Sequence, residues 1–158
     1  MAVKPIPDGY HSVTPSLIVR GGLRALEYYK RAFDAKERFR MDGPGGTLGH
    51  AEIEIGNSIV MLADEHPAWN ANAPDGNTAP PVQLMIYVDD VDATFARALE
   101  AGGKETMAIK DQFYGDRSGT LMDPFGHVWT VATHVEDVTA EEMQRRAAEY
   151  AAKQQVGV

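Results

Sequence analysis

The sequence contains no cysteine, which removes disulfide staples, thiolate metal sites and cysteine nucleophiles together. Long apolar runs are missing as well. Nothing approaches the roughly 20 residues that a bilayer-spanning helix needs, and the opening MAVKPIPDGY has no apolar core of the secretory-leader kind. The expectation is a cytoplasmic protein with no membrane partner. Positive charge is scarce: 15 Lys and Arg stand against 23 Asp and Glu, for a formal net charge of -8. The cations are scattered, so no nucleic-acid partner is expected either. Walker and nucleophile-elbow motifs are absent. What remains is a chain of 158 residues, about one domain's worth and long enough to bury a core.

The stretch 111–134, DQFYGDRSGTLMDPFGHVWTVATH, organises the rest. Asp123-Pro124-Phe125-Gly126 reads as a turn, because Pro sets φ at the second position, Gly is permissive later, and Asp can bond amides downstream. Residues 127–133 alternate and are rich in β-branched and aromatic side chains, which predicts a strand, with 116–122 as its antiparallel partner.

Upstream, 13–20 reads as a strand, and Pro15 argues for a sheet edge or a first-residue position rather than the sheet centre. Leu26, Tyr29 and Phe33 recur at helical spacing and predict an amphipathic helix over 23–33. A short strand over 36–41 and a loop over 42–46 precede a hairpin, 48–55 and 58–64, about Gly56-Asn57. Residues 65–81, EHPAWNANAPDGNTAPP, have no periodicity and form a linker. The pattern then restarts: a strand over 82–88, a helix over 91–101 stopped by Gly102-Gly103, and a strand over 104–111.

The restart is an internal repeat with an offset of 69, set by placing Val19 on Val88 (88 − 19). It divides one domain, 1–158, into a first βαβββ module over about 12–64, the linker, and a second module over about 82–134. A C-terminal helix is predicted over about 139–154, opened by a Thr139/Glu142 capping box and bearing a narrow apolar stripe through Met143, Ala147 and Tyr150.

In these motifs the chain resembles the vicinal oxygen chelate superfamily, which includes glyoxalase I, bleomycin-resistance proteins and extradiol dioxygenases. TPSLIVRGGLRALEYYKRAFDAKE, GHAEIEIGNSIVMLADE and above all DQFYGDR…DPFGHVW are similar to its PhnB-like branch. The resemblance implies an α+β fold: tandem βαβββ modules forming an eight-stranded, half-open mixed sheet around a concave cavity, in a homodimer. It also implies a divalent metal in the catalytic members, held from the first and last strands of each module. Carried over, those positions are Thr14, Met61, Gln83 and Thr130, of which only Gln83 has ligand character.

Strand alternation assigns the remaining candidates. Leu17, Val19, Leu84 and Ile86 should face the helices, leaving Thr14, Ser16, Gln83, Met85 and Tyr87 in the cavity. His50, Glu52 and Glu54 share one strand face, but same-face neighbours lie nearly 7 Å apart, too far for all three to reach one ion. The plainest reading is a solvated strand face with His50 alone at the cavity; beside it, His50 is a candidate ligand, as Gln83 is, or a proton-transfer group with Glu52. Tyr114 and Arg117 border the cavity in a loop. Arg117 either clamps an anionic ligand or pairs with Asp116 or Asp123 to fix its own turn. Trp129 belongs to the core, His127 and His134 read as structural, and Trp69, in the linker, is a candidate lid or dimer contact.

The leading expectation is a protein that binds a small organic molecule in its cavity without the usual metal site. Two alternatives stand beside it. One is a divalent-metal-dependent lyase, isomerase or dioxygenase with non-standard ligands; the other is a drug-sequestering resistance protein.

Overall fold

Alternating and helical hydrophobic patterns set the elements in the expected order, and the computed structural model describes them over residues 3–155. Met1, Ala2 and residues 156–158, the extreme ends of the expected arm and domain, lie outside the described residues. The first module comprises β1 (Ser16–Val19), α1 (Gly22–Phe33), β2 (Lys36–Asp42), β3 (Leu48–Ile55) and β4 (Ser58–Asp64). The second comprises β5 (Leu84–Tyr87), α2 (Val91–Glu100), β6 (Lys104–Asp111), β7 (Asp116–Met122) and β8 (Val128–His134). Helix α3 (Ala140–Gln155) follows the second module. Its cap is half of the expected box: Thr139 Oγ1 accepts from the Glu142 amide at 3.3 Å, while the Glu142 carboxylate turns to Arg145 and Arg146.

The expected eight strands take the form of two open four-stranded mixed sheets, ordered β1-β4-β3-β2 and β5-β8-β7-β6. The repeat is visible in the register. Ser16 pairs with Met61 in the first sheet and Met85 with Thr130 in the second, each member 69 residues from its counterpart (85 − 16 and 130 − 61).

The same offset relates the groups that start the helices. Gly21 has no side chain to cap α1, so the Asp64 carboxylate reaches over from β4 to the amides of Gly21, Gly22 and Leu48 at 2.7, 2.9 and 2.7 Å. A carboxylate there also complements the helix dipole. Its counterpart Thr133 accepts from the Val91 amide of α2 at 2.9 Å, beside a conventional Asp90 cap.

Both helices and the inner faces of both sheets belong to one buried cluster, from Leu17, Val19 and Ile53 through Tyr28, Tyr29 and Phe33 to Phe95, Trp129 and Val131. The two sheets thus share a helical layer and turn their other faces away from it. The β7–β8 turn ties the modules. Asp123 Oδ1 accepts the Phe125 and His127 amides, while Oδ2 accepts Tyr29 of α1 at 2.6 Å and the Trp129 indole at 2.9 Å. His127 has a structural contact too, lying 2.9 Å from the Ile18 carbonyl of β1.

Candidate functional site

The outer face of the second sheet is built in rows by the pairing register. Met85, Thr130, Thr120 and Met107 stand side by side across β5, β8, β7 and β6. The two threonine hydroxyls bond each other at 3.0 Å, and an exposed methionine stands on either side. In the next row Tyr87, Ala132 and Ser118 are aligned, and Gln112 donates to the Ser118 hydroxyl at 3.1 Å.

The third row pairs His134 with Asp116. Asp116 is buried at 4% exposure, yet its carboxylate opens onto this face. It accepts the Tyr87 hydroxyl at 2.8 Å and lies 2.8 Å from His134 Nδ1. The other ring nitrogen, Nε2, lies 2.9 Å from Asp137 Oδ1 in the connector to α3. Facing two carboxylates, Asp137 and then Asp116, the His134 imidazole has its pKa raised. The bond to Asp116 likewise raises the Tyr87 hydroxyl, because losing its proton would set two negative charges side by side.

The outer face of the first sheet differs. Its corresponding row runs Ser16, Met61, Glu52 and Phe39. The N-terminal arm lies over part of it. A Cβ on Gly9 would meet the Ile59 side chain at 3.6 Å, and Ile59 is buried although it shares a face with Met61. The next residue, Tyr10, has its hydroxyl pKa raised by contact with the Glu52 carboxylate, and the Arg38 guanidinium stands 6.0 Å from its ring centre. His50 is half-buried, 3.5 Å from Glu52.

Between the β3–β4 hairpin and β5 runs a groove of about 900 Å³. Phe33, Val60, Leu84, Ile86 and Trp129 give it apolar walls, and Met85 and Tyr87 connect it to the outer face of the second sheet.

The candidates from the sequence are therefore distributed over two surfaces. Met85, Tyr87 and Thr130 share the second sheet's outer face, with Gln83 one residue before β5. Ser16, His50, Glu52 and Met61 share the first sheet's outer face. Thr14 donates to the His11 carbonyl at 3.3 Å. Tyr114 packs edge-on against Phe113 in the β6–β7 turn. Arg117 is engaged on the helix side instead, donating twice to Asp92 of α2 at 2.8 Å and once to Asp111 at 3.0 Å. Its turn-fixing partners are thus not Asp116 or Asp123. Trp69 is exposed and stacks on His66 at 4.0 Å.

His134 is read as structural from the sequence, and Asp116, Gln112 and Ser118 are not among the cavity residues it names. Alternation from Thr130 through Ala132 places His134 on the same face, and that signal was in the sequence. The pairing with Asp116 was not, because register across the β7–β8 turn decides it.

A divalent metal is the group the resemblance brings with it, and the donor set does not fit one. Thr14 lies two residues before β1 and Met61 on β4 of the first sheet, while Gln83 lies one residue before β5 and Thr130 on β8 of the second. Two hydroxyls, a thioether and an amide include no anionic or imidazole ligand for Zn²⁺ or Ni²⁺. Among the described residues, no three of His, Asp and Glu are grouped to hold an ion. None of the helices among the described residues is long and apolar enough to cross a membrane.

Residues 11–131 match the family model described as the Glyoxalase/Bleomycin resistance protein/Dioxygenase superfamily. The uncharacterized protein Mb0911c of Mycobacterium bovis is 40% identical over 136 residues, spanning 84% of this chain and 90% of its own length. Among solved structures, TioX from Micromonospora sp. ML1 is 26% identical with a TM-score of 0.63, covering 79% of this chain and 99% of its own. The PhnB protein from Bacillus cereus shares the fold at 21% identity and a TM-score of 0.59, covering 78% of this chain and 99% of its own.

Proposed function

The chain belongs to the glyoxalase/bleomycin resistance protein/dioxygenase superfamily, and on that premise we propose that it binds a small organic molecule on the outer face of its second sheet, by polar and apolar contacts rather than through a metal. One observation carries the reading. The Thr120–Thr130, Gln112–Ser118 and Tyr87–Asp116–His134 contacts form an ordered polar ladder, flanked by the exposed apolar side chains of Met85 and Met107. Fixed hydrogen-bonding groups beside apolar surface orient a small ligand and exclude water from it.

The site is completed by a second copy of the chain. Strands β1 and β5 each pair on one side only, and the outer faces leave Phe39 and Met41 exposed on one sheet and Met85, Tyr87 and Met107 on the other. Each sheet keeps one face off the shared helical layer, and a second copy of the chain is the partner whose corresponding face can cover it. The homodimer then joins a first sheet to a second.

The deciding experiment is a small-molecule screen on metal-free protein, following the Met85 and Met107 methyl resonances, with metal content and mass in solution measured in parallel. Shifts of those methyls by a bound compound, in a dimer free of metal, are the expected result. About one tightly held divalent ion per chain, needed for binding or turnover, would transfer the assignment to a metal-dependent enzyme.

A further inference from the structure

Resting on that small-ligand reading, we propose that His134 receives the carboxylate of the ligand, that the chain's own Asp137 is its displaceable stand-in, and that the ligand is a small organic acid with an apolar body. The two ring nitrogens are held by unlike partners. Nδ1 lies 2.8 Å from Asp116 Oδ1, and Asp116 is itself buried and fixed by the Tyr87 hydroxyl at 2.8 Å. That nitrogen is committed, and the ring is thereby oriented. Nε2 lies 2.9 Å from Asp137 Oδ1, a carboxylate that is fully exposed and has no other hydrogen-bond partner among the described residues.

An exposed ion pair of this kind is worth little. A carboxylate arriving on a larger molecule can take the same place, because it replaces one negative charge by another while Asp137 returns to water. The incoming acid gains what Asp137 lacks, an apolar surface to lie on. Met85 stands two residues before Tyr87 on the same face of β5, and Met107 flanks the threonine row beyond. A charge-assisted bond at one end and thioether contacts along the body define an amphipathic monocarboxylate.

The imidazolium has to be charged to act in this way. The groups facing it are Asp116 of β7, Asp137 of the connector and, through Asp116, Tyr87 of β5; the neighbouring Glu136 is taken up by Arg146 at 2.7 and 2.8 Å. These carboxylates raise the His134 pKa, so acid binding persists through neutral pH and fades as pH rises through that raised value.

The test compares decanoate with 1-decanol, which share an alkyl body long enough to run the roughly 13 Å from the His134 row to the Met85 row and differ in the carboxylate. Both are titrated into wild type, Asp137→Asn and His134→Gln while the His134 ring and the Met85 and Met107 methyl signals are followed. Decanoate should shift the His134 ring together with the Met85 methyl and bind about tenfold more tightly than the alcohol. Asp137→Asn should tighten decanoate by up to about fivefold, the worth of one exposed ion pair. His134→Gln should bring the acid down to the level of the alcohol. Equal affinity for acid and alcohol, or no gain in Asp137→Asn, overturns the carboxylate assignment while methyl shifts uphold the small-ligand site. Methyl signals that respond to neither compound overturn both.

Discussion

The Tyr29 hydroxyl of α1 donates to the Asp123 carboxylate of the β7–β8 turn at 2.6 Å, so a buried hydrogen bond joins the two modules. Burial and the adjacent carboxylate push the Tyr29 pKa well up, which keeps the phenol a donor at any physiological pH. The Trp129 indole donates to the same oxygen, so this acid gathers one buried donor from each module.

Removing that acceptor should unfold both modules together. Asp123→Ala leaves a buried phenol, a buried indole N–H and two turn amides unsatisfied, at a cost of at least about 3 kcal/mol. Tyr29→Phe removes one donor and should cost about 1–2 kcal/mol. Urea unfolding checks both, and a Tyr29→Phe midpoint equal to wild type would mean that this bond does not hold the modules together.

A second prediction concerns the start of α1. Asp64 accepts three amides there, so Asp64→Ala should cost about 2–3 kcal/mol. Hydrogen exchange should accelerate at Gly22 and Leu48 first. Uniform acceleration along the chain would show that the helix start is not the local weak point.

The sign of a pH effect is fixed by His134. Its folded-state pKa lies above the unfolded value of about 6.5, so its contribution to stability is complete below about pH 6.5 and is lost as pH rises through the raised value. Asp116→Asn should flatten that decline. Thermal unfolding between pH 6 and pH 9 reads it, and an unchanged slope in the variant would sever the link to Asp116.

Deleting residues 1–11 should uncover Ile59 and the Glu52 region of the first sheet while the fold persists. The expected cost is about 1–2 kcal/mol, comparable to exposing one aliphatic side chain. Binding of an environment-sensitive apolar dye should rise at the same time. An arm deletion that leaves dye binding at the wild-type level would show that the arm covers no apolar surface.

Much of this molecule was legible in the letters. Hydrophobic periodicity placed the eight strands and three α-helices of the described residues, since a period of two or 3.6 is all that a half-buried strand or helix requires, but not the two short 3-10 turns at Pro44–Gly46 and Pro67–Trp69. It also sent Met85 and Tyr87 outward and Trp129 inward. The repeat offset found between Val19 and Val88 is the one that relates Asp64 to Thr133 at the two helix starts.

The site was harder to read because it is made of pairings between distant positions. The letters leave Arg117 open between a ligand clamp and a local structural pairing, and its actual partner Asp92 stands 25 residues earlier, beyond the reach of any local pattern. His134 looks like the end of a strand, yet Asp116, 18 residues away, orients its ring. The sequence by itself determined the elements, their order and the face on which each side chain stands, because these depend on neighbours within a few residues. Only the tertiary structure decided that the two sheets share a helical layer, and that one buried carboxylate gathers Tyr87 and His134. Those outcomes depend on which strands pair and in what register, and no local pattern encodes that.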